Sequence, residues 1–463
     1  MLSRKLLTVS LGLLAFGLSA RAHVAYHSPV DYQITLAGNF GEPRPNHFHG
    51  GLDIKTDNVE GKHIYSIGDG YVSRLTVGIS GFGNAVYVTH PEGYTSIYCH
   101  LKRFSPKLER MVHRTGKRDE QIDLHFSPTD FPVSQGQLIA LSGNTGHSTG
   151  PHLHLEIHDT RTWDMMDPLD FLAPFVNDSV APQAHSMMAY PIEGEGVFNG
   201  GSGKQTFGFT SNRIEQKLTA WGKVGFGLWA DDYMQGVYNH YGIRETILQV
   251  DGREVFHSNV GRIPVYSNRQ VNAWGDYDHW RHNRTWYMRS YIPEGVTLPI
   301  LQADEQGGVV DFSEERPYEL LYILRDFMGN ESRYAFTVRG QKSTITPQKR
   351  QRKNAGYDRL SLISLPGMQL TIPAGMMQGR MDIRPKVEQG SGLSPRYTFA
   401  PQACPLFGWA ELCIAVPQDA DPATLYIDSG GHDMGGTVEN GWITTYIREL
   451  GASYELKIKE NHE

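Results

Sequence analysis

The sequence predicts a mostly β protein of several domains, on three observations. Short apolar or strictly alternating runs recur along the chain, divided by glycine-, proline- and asparagine-rich turns. Glycine (50), proline (25) and tyrosine (23) are plentiful, which suits turn-rich β domains better than helix bundles. A length of 463 residues allows two to four domains with proper cores. The 43 basic residues are outnumbered by 50 acidic ones, a formal net charge of −7. That balance argues against nucleic acid as a partner and against non-specific adhesion to an anionic surface.

Residues 1–22 read as a secretory signal peptide. Arg4 and Lys5 form its positive start, residues 6–18 its apolar stretch, and Ala20-Arg21-Ala22 a small-x-small cleavage site. The apolar run is short for a bilayer span, and no later segment supplies one, so the expectation is an exported protein, periplasmic or secreted. Three cysteines remain. Cys404 and Cys413 are placed to close a short loop in an oxidising compartment, with Cys99 left over; the alternative is three reduced, buried thiols.

In chain order, the first domain (23–175) opens with a turn at 36–41 and then Arg44-Pro45-Asn46-His47-Phe48-His49-Gly50-Gly51-Leu52-Asp53. His49 and Asp53 are spaced across a Gly-Gly pair that lets the backbone bring both side chains to one point. An imidazole with a carboxylate suits a borderline metal such as zinc. His47 competes with His49, but the spacing to Asp53 favours His49. Strand-like runs follow at 63–67, 71–77, 85–90, 95–101, 137–142 and 152–158. In 95–101, period two places Ser96, Tyr98 and His100 on one face and Ile97, Cys99 and Leu101 on the other. In 152–158, Leu153, Leu155 and Ile157 would face a core, and His152, His154, Glu156 and His158 a cleft. His63, His90, His113, His125 and His147 read as ordinary turn or solvent histidines, and His158 and Glu156 as supports for the ligand strand.

The ordered set His49-x-x-x-Asp53, Tyr98-Cys99-His100-Leu101, Gly136-Gln137-Leu138-Ile139, Gly143-Asn144-Thr145-Gly146-His147-Ser148-Thr149-Gly150-Pro151-His152-Leu153-His154 and Asp167-Pro168-Leu169 closely resembles the lysostaphin/LytM-type zinc peptidases that cleave peptidoglycan. The resemblance covers about residues 36–172. It implies an antiparallel β-sheet peptidase domain with one Zn2+ per chain held by His49, Asp53 and His154. It also implies His100 and His152 as catalytic histidines that assist attack of a zinc-activated water on the scissile carbonyl. Neutral imidazoles, with an unperturbed pKa near 6.5, suit that proton transfer around neutral pH. The implied substrates are peptidoglycan stem or cross-bridge peptides. D-alanyl–diaminopimelate links are the expectation for a Gram-negative enzyme, and oligoglycine bridges are the alternative. The other reading is a latent or non-catalytic LytM-like regulator of other wall hydrolases; retention of all five histidine and aspartate positions disfavours it. A wall-binding module with a structural zinc would need a fourth ligand, and only three are evident.

Two departures stand out. Family members often carry a tyrosine shortly before the first ligand, and residues 40–46 contain none. The segment 104–131 is a long insertion, with a helix start at Ser105-Pro106, expected to wall one end of the groove and shape substrate choice. Downstream, 183–340 reads as an immunoglobulin-like β-sandwich, 341–356 as a charged linker and 357–463 as a C-terminal β-rich domain. Protein partners would bind through these two β-rich domains. Trp274, Trp280 and Trp286 are read as packing rather than a sugar platform.

Overall fold

The structure, a computed structural model, describes residues 25–78, 81–115, 121–347 and 353–459. The expected signal peptide lies outside these residues, as do 116–120 of the insertion and 348–352 of the linker. The chain is mostly β, and every expected strand of the first domain forms, within two residues at each end.

A 10-stranded antiparallel sheet carries the first region. Its main order is Leu36–Gly38, Leu52–Lys55, His152–Asp159, Tyr94–Cys99, Ala85–Thr89, Gly70–Val77 and Ile122–His125. The alternation in the central His152–Asp159 strand is realised as read: Leu153, Leu155 and Ile157 are fully buried in the main core. The described part of the insertion comprises the helix Pro106–Arg114 and the strand Ile122–His125, which pairs with Gly70–Val77. That strand extends the sheet at the edge away from Leu52–Lys55, three strands beyond Tyr94–Cys99.

The 183–340 region is built on two 16-residue strands, Gln183–Phe198 and Leu218–Tyr233, within an 11-stranded sheet. The second is long enough to change partners along its length. Leu218–Ala220 pairs in parallel with Val338–Gly340, Gly222–Val224 with Val310–Phe312, and Asp232–Tyr233 with His240–Tyr241. Short helices at Val271–Trp274 and Tyr277–Asn283 carry two of the three tryptophans. Trp274 is buried against Phe48, ring centroids 5.9 Å apart, as packing requires. Trp280 and Trp286 instead stack on each other at 5.3 Å, half-buried, with Tyr277 on the Trp280 face.

The apolar side chains of the first region and of 183–340 form one continuous core, which Phe407 joins, whereas the other buried apolar side chains from Ala355 to Leu456 form a separate one. Strand pairing also crosses between the first two regions: Met165–Met166, paired to the His152–Asp159 strand, pairs in turn with Arg262–Ile263. The buried Asp167 carboxylate meets Arg244 beside this junction.

Of the two cysteine readings the reduced one is found: Cys404 and Cys413 form no disulfide, all three cysteines are free, and Cys99 is buried while the other two are half-buried. Cys404 immediately precedes the strand Pro405–Ala415 and Cys413 lies near its far end. Nine residues of extended chain separate the two by on the order of 30 Å, far beyond a disulfide's reach. Among the described residues no helix is long and apolar enough to cross a membrane.

Candidate metal centre

Adjacent antiparallel strands deliver two of the candidate ligands. His154 pairs directly with Asp53, and directly paired residues point to the same face of the sheet. His49 reaches them from the turn before Leu52–Lys55. Gly50 and Gly51 matter here for proximity and not for a left-handed backbone. A Cβ on Gly51 would lie 2.2 Å from the Leu155 carbonyl oxygen, and one on Gly50 would lie 2.6 Å from Glu156 Oε1.

Three donor atoms meet at one point. Asp53 Oδ1 lies 3.0 Å from His49 Nε2 and 2.8 Å from His154 Nδ1, and the two nitrogens are 3.0 Å apart. Each group is held by its other atom. His49 Nδ1 donates to the Asn39 carbonyl at 2.6 Å, His154 Nε2 donates to Glu156 Oε1 at 2.9 Å, and Arg44 donates to Asp53 Oδ2 at 2.9 Å. A triangle of this size fits the ligand sphere of a small cation with bonds of about 2.0–2.2 Å, and two imidazoles with one carboxylate suit a borderline metal. The buried support behind His154 continues, because Glu156 Oε2 accepts from His158 Nε2 at 2.6 Å and His158 Nδ1 donates to the Trp163 carbonyl.

His100 and His152 flank the triangle, with ring centroids 4.8 Å apart. His152 Nδ1 donates to the Gly150 carbonyl at 2.8 Å, and its Nε2 lies 3.4 Å from Asp53 Oδ1. His100 Nδ1 donates to the Thr145 carbonyl at 2.8 Å. Both rings therefore turn an Nε2 away from the backbone bond.

His100 reaches this place by a route that corrects the alternation. Cys99 pairs with His154 and Ile97 with Glu156, so Cys99 and Ile97 share the ligand face, while Tyr98 lies on the core side with Leu155. Strict period two would send His100 into the core with Tyr98. Instead the strand ends at Cys99, and His100 has a left-handed backbone, φ 58°, which turns its ring to the ligand face. Left-handed backbone is uncommon outside glycine, with histidine among the residues enriched there.

Electrostatics separates the groups. Burial lowers the His49 pKa, and burial together with the neighbouring His154 and His152 lowers His100 to about 4, keeping it neutral. Burial opposes ionisation of Asp53, but His49, His152 and His154 outweigh it and hold the carboxyl well below its usual range. Burial also lowers the His154 pKa, yet the bonds to Asp53 and Glu156 prevail and raise it to about 9.

The second region braces the ligand turn, a feature invisible in the motif. Asn39, whose carbonyl orients His49, exchanges two hydrogen bonds with the Gly242 backbone at 2.8 and 2.9 Å. The backbone amides of Asn46 and Phe48 donate to Asn272 Oδ1 at 2.9 Å and to Asn268 Oδ1 at 2.6 Å. Arg44, in the stretch that lacks the family's tyrosine, also escaped the sequence reading, since nothing in its spacing marks a partner for Asp53. His47 is exposed and makes no bond to the cluster. His63, His125 and His147 are exposed, and His90 is buried but satisfied by the Asp69 carbonyl and Ser96 Oγ, both at 2.8 Å.

Residues 47–117 match the family model described as Peptidase family M23, which includes His49, Asp53 and His100, and residues 353–458 match a Zu5-like domain. The peptidoglycan DD-endopeptidase ShyC of Vibrio cholerae is 35% identical over 133 residues, 28% of this chain and 25% of that protein. An uncharacterized metalloprotease of Haemophilus influenzae is 32% identical over 118 residues, 26% of this chain and 19% of that protein. The matches thus span about a fifth to a quarter of these relatives. Among solved structures, a zinc-containing peptidase from Vibrio cholerae is 29% identical over 29% of this chain and 37% of that one, with a TM-score of 0.22. The lysostaphin catalytic domain from Staphylococcus simulans is 22% identical over 31% of this chain and 92% of that one, with a TM-score of 0.23. The chain carries a Peptidase M23 domain, matched over residues 47–117.

Proposed function

We propose that the protein is an exported zinc-dependent endopeptidase that hydrolyses peptide cross-links of peptidoglycan, with His49, Asp53 and His154 as metal ligands and His100 and His152 as catalytic residues. The observation that carries this reading is the triangle of three donor atoms, all within 3.0 Å of one another, with two further imidazoles beside it. The names of the M23 relatives support peptidoglycan as the substrate.

Zinc bound there supplies Lewis acidity, polarising a carbonyl and lowering the pKa of a water to about 7. The chain's own residues do the rest. His100 and His152, each fixed by an Nδ1–H to carbonyl bond, present Nε2 to accept the proton of the attacking water and return it to the leaving amine. Arg44 fixes the second oxygen of Asp53, which would leave Oδ1 to hold a metal. Glu156 and His158 lock the His154 ring with Nδ1 forward. Export is supported by the pattern of residues 1–22.

The test uses residues 23–463 with defined cross-linked muropeptides and mass-spectrometric product analysis. Dimers should become monomers, chelator should stop the conversion, and zinc should restore it; the fragment masses name the bond. Intact dimers in the presence of one tightly bound zinc would instead favour a latent or regulatory protein. Glu156→Gln should keep the shape of the support while weakening its acceptor, and should lower zinc affinity about 10–100-fold. Competition against a chromophoric chelator measures this, and unchanged affinity would mean that Glu156 does not tune the ligand.

A further inference from the structure

A second cluster of metal-ligating groups lies outside this site. Asp178, Asp232 and Asp326 are 6%, 3% and 4% exposed, and one carboxylate oxygen from each lies within 4.8 Å of the others. The three come from separate parts of the chain. Asp178 follows the peptidase region, Asp232 is near the end of the Leu218–Tyr233 strand, and Asp326 opens the turn between Pro317–Arg325 and Glu331–Gly340.

Three buried carboxylates need compensation, and the protein supplies little of it. Among the described residues no lysine, arginine or histidine forms an ion pair with any of them. Asp326 is met by Asn330, whose backbone amide donates to Oδ1 at 2.9 Å and whose Nδ2 donates to Oδ2 at 2.6 Å. Asp178 Oδ1 accepts from the Val180 amide at 3.0 Å. Asp178 Oδ2 and Asp232 Oδ1 are fully buried and have no hydrogen-bond partner. Buried polar atoms are nearly always satisfied, so two such oxygens on neighbouring carboxylates mark a missing positive partner.

We propose that Asp178, Asp232 and Asp326 bind one Ca2+ ion that ties the segment after the peptidase region to the end of the second sheet. The donor set decides the class of ion. It is all oxygen, with no imidazole or thiolate, which selects a hard cation over zinc. A spread of up to 4.8 Å between donors can be spanned by one ion with bonds of about 2.3–2.6 Å. The site also sits close to the peptidase region. Asp232 pairs with Tyr241, whose hydroxyl donates to the Leu36 carbonyl at 2.8 Å in the strand beside Leu52–Lys55.

The proposal does not depend on the peptidase reading, and its test is independent of cleavage. Residues 23–463, first loaded with zinc, are titrated with Ca2+ by calorimetry and melted with and without Ca2+. One Ca2+ should bind per chain, and the melting temperature should rise by several degrees at Ca2+ about 100-fold above its Kd. Asp232→Asn should weaken Ca2+ binding more than tenfold, leave zinc content unchanged and, without Ca2+, melt no lower than the parent, because a neutral amide of the same shape needs no counter-charge in this buried cluster. Asp178→Asn serves the same purpose if the first variant does not fold. Absence of Ca2+ binding at millimolar concentration, or equal binding by the variants, would overturn the proposal and leave the cluster held by protons.

Discussion

His154→Ala is expected to abolish stoichiometric zinc binding and all measurable cross-link cleavage together. His154 Nδ1 is one corner of the donor triangle, and its loss leaves only His49 and Asp53, two ligands where catalytic zinc sites keep three. The same ring is the donor between two buried carboxylates, Asp53 and Glu156. Removing it strips a partner from each, at a stability cost of about 1–3 kcal/mol per unsatisfied group. Glu156 still accepts from His158, and Asp53 from Arg44, so the sheet should survive. Asp53→Asn provides the companion measurement. It is isosteric and removes the charge, so zinc affinity should fall; with its oxygen toward the imidazoles its amide nitrogen loses the bond from Arg44, so the melting temperature should fall modestly without loss of fold. Zinc content by atomic absorption and circular dichroism separate loss of metal from loss of fold. Retention of one tightly bound zinc by His154→Ala would place the metal elsewhere.

The site was legible in the sequence to the extent that it obeys local geometry. Alternation in residues 152–158 gives both the buried leucines and the ligand face, because side chains alternate across any strand. What escaped follows from groups that local pattern does not encode. His100 was located in the cleft, but on the wrong face of its strand, because one left-handed residue breaks the phase. The 16-residue strand Gln183–Phe198 was unread, since Pro191, Gly194 and Gly196 look like breakers. In the sheet they mark a register shift, and a Cβ on Gly196 would lie 1.9 Å from the Lys223 carbonyl oxygen. The helices Val271–Trp274 and Tyr277–Asn283 are too short to show a period. Asn268 and Asn272 brace the ligand turn from more than two hundred residues away, and such long-range bonds leave no mark on spacing.

The second large effect separates proton transfer from metal binding. His100→Asn and His152→Asn are each expected to lower kcat/KM by about 10²–10⁴-fold while zinc content stays at one per chain. Asparagine is the right replacement at position 100 because the backbone there is left-handed, φ 58°, a conformation asparagine accepts and alanine resists. Neither ring is a corner of the donor triangle, so neither substitution removes a ligand. The two rings lie 4.8 Å apart and face the same reacting groups, so their losses should not multiply. If they act as one unit, the double variant should be little worse than the poorer single one. If instead one ring alone moves the proton, the other substitution should raise KM with kcat nearly unchanged. The kcat and KM of the three variants on one muropeptide therefore divide the roles that proximity leaves joined. Near-wild-type kcat/KM in all three would remove both histidines from the chemistry.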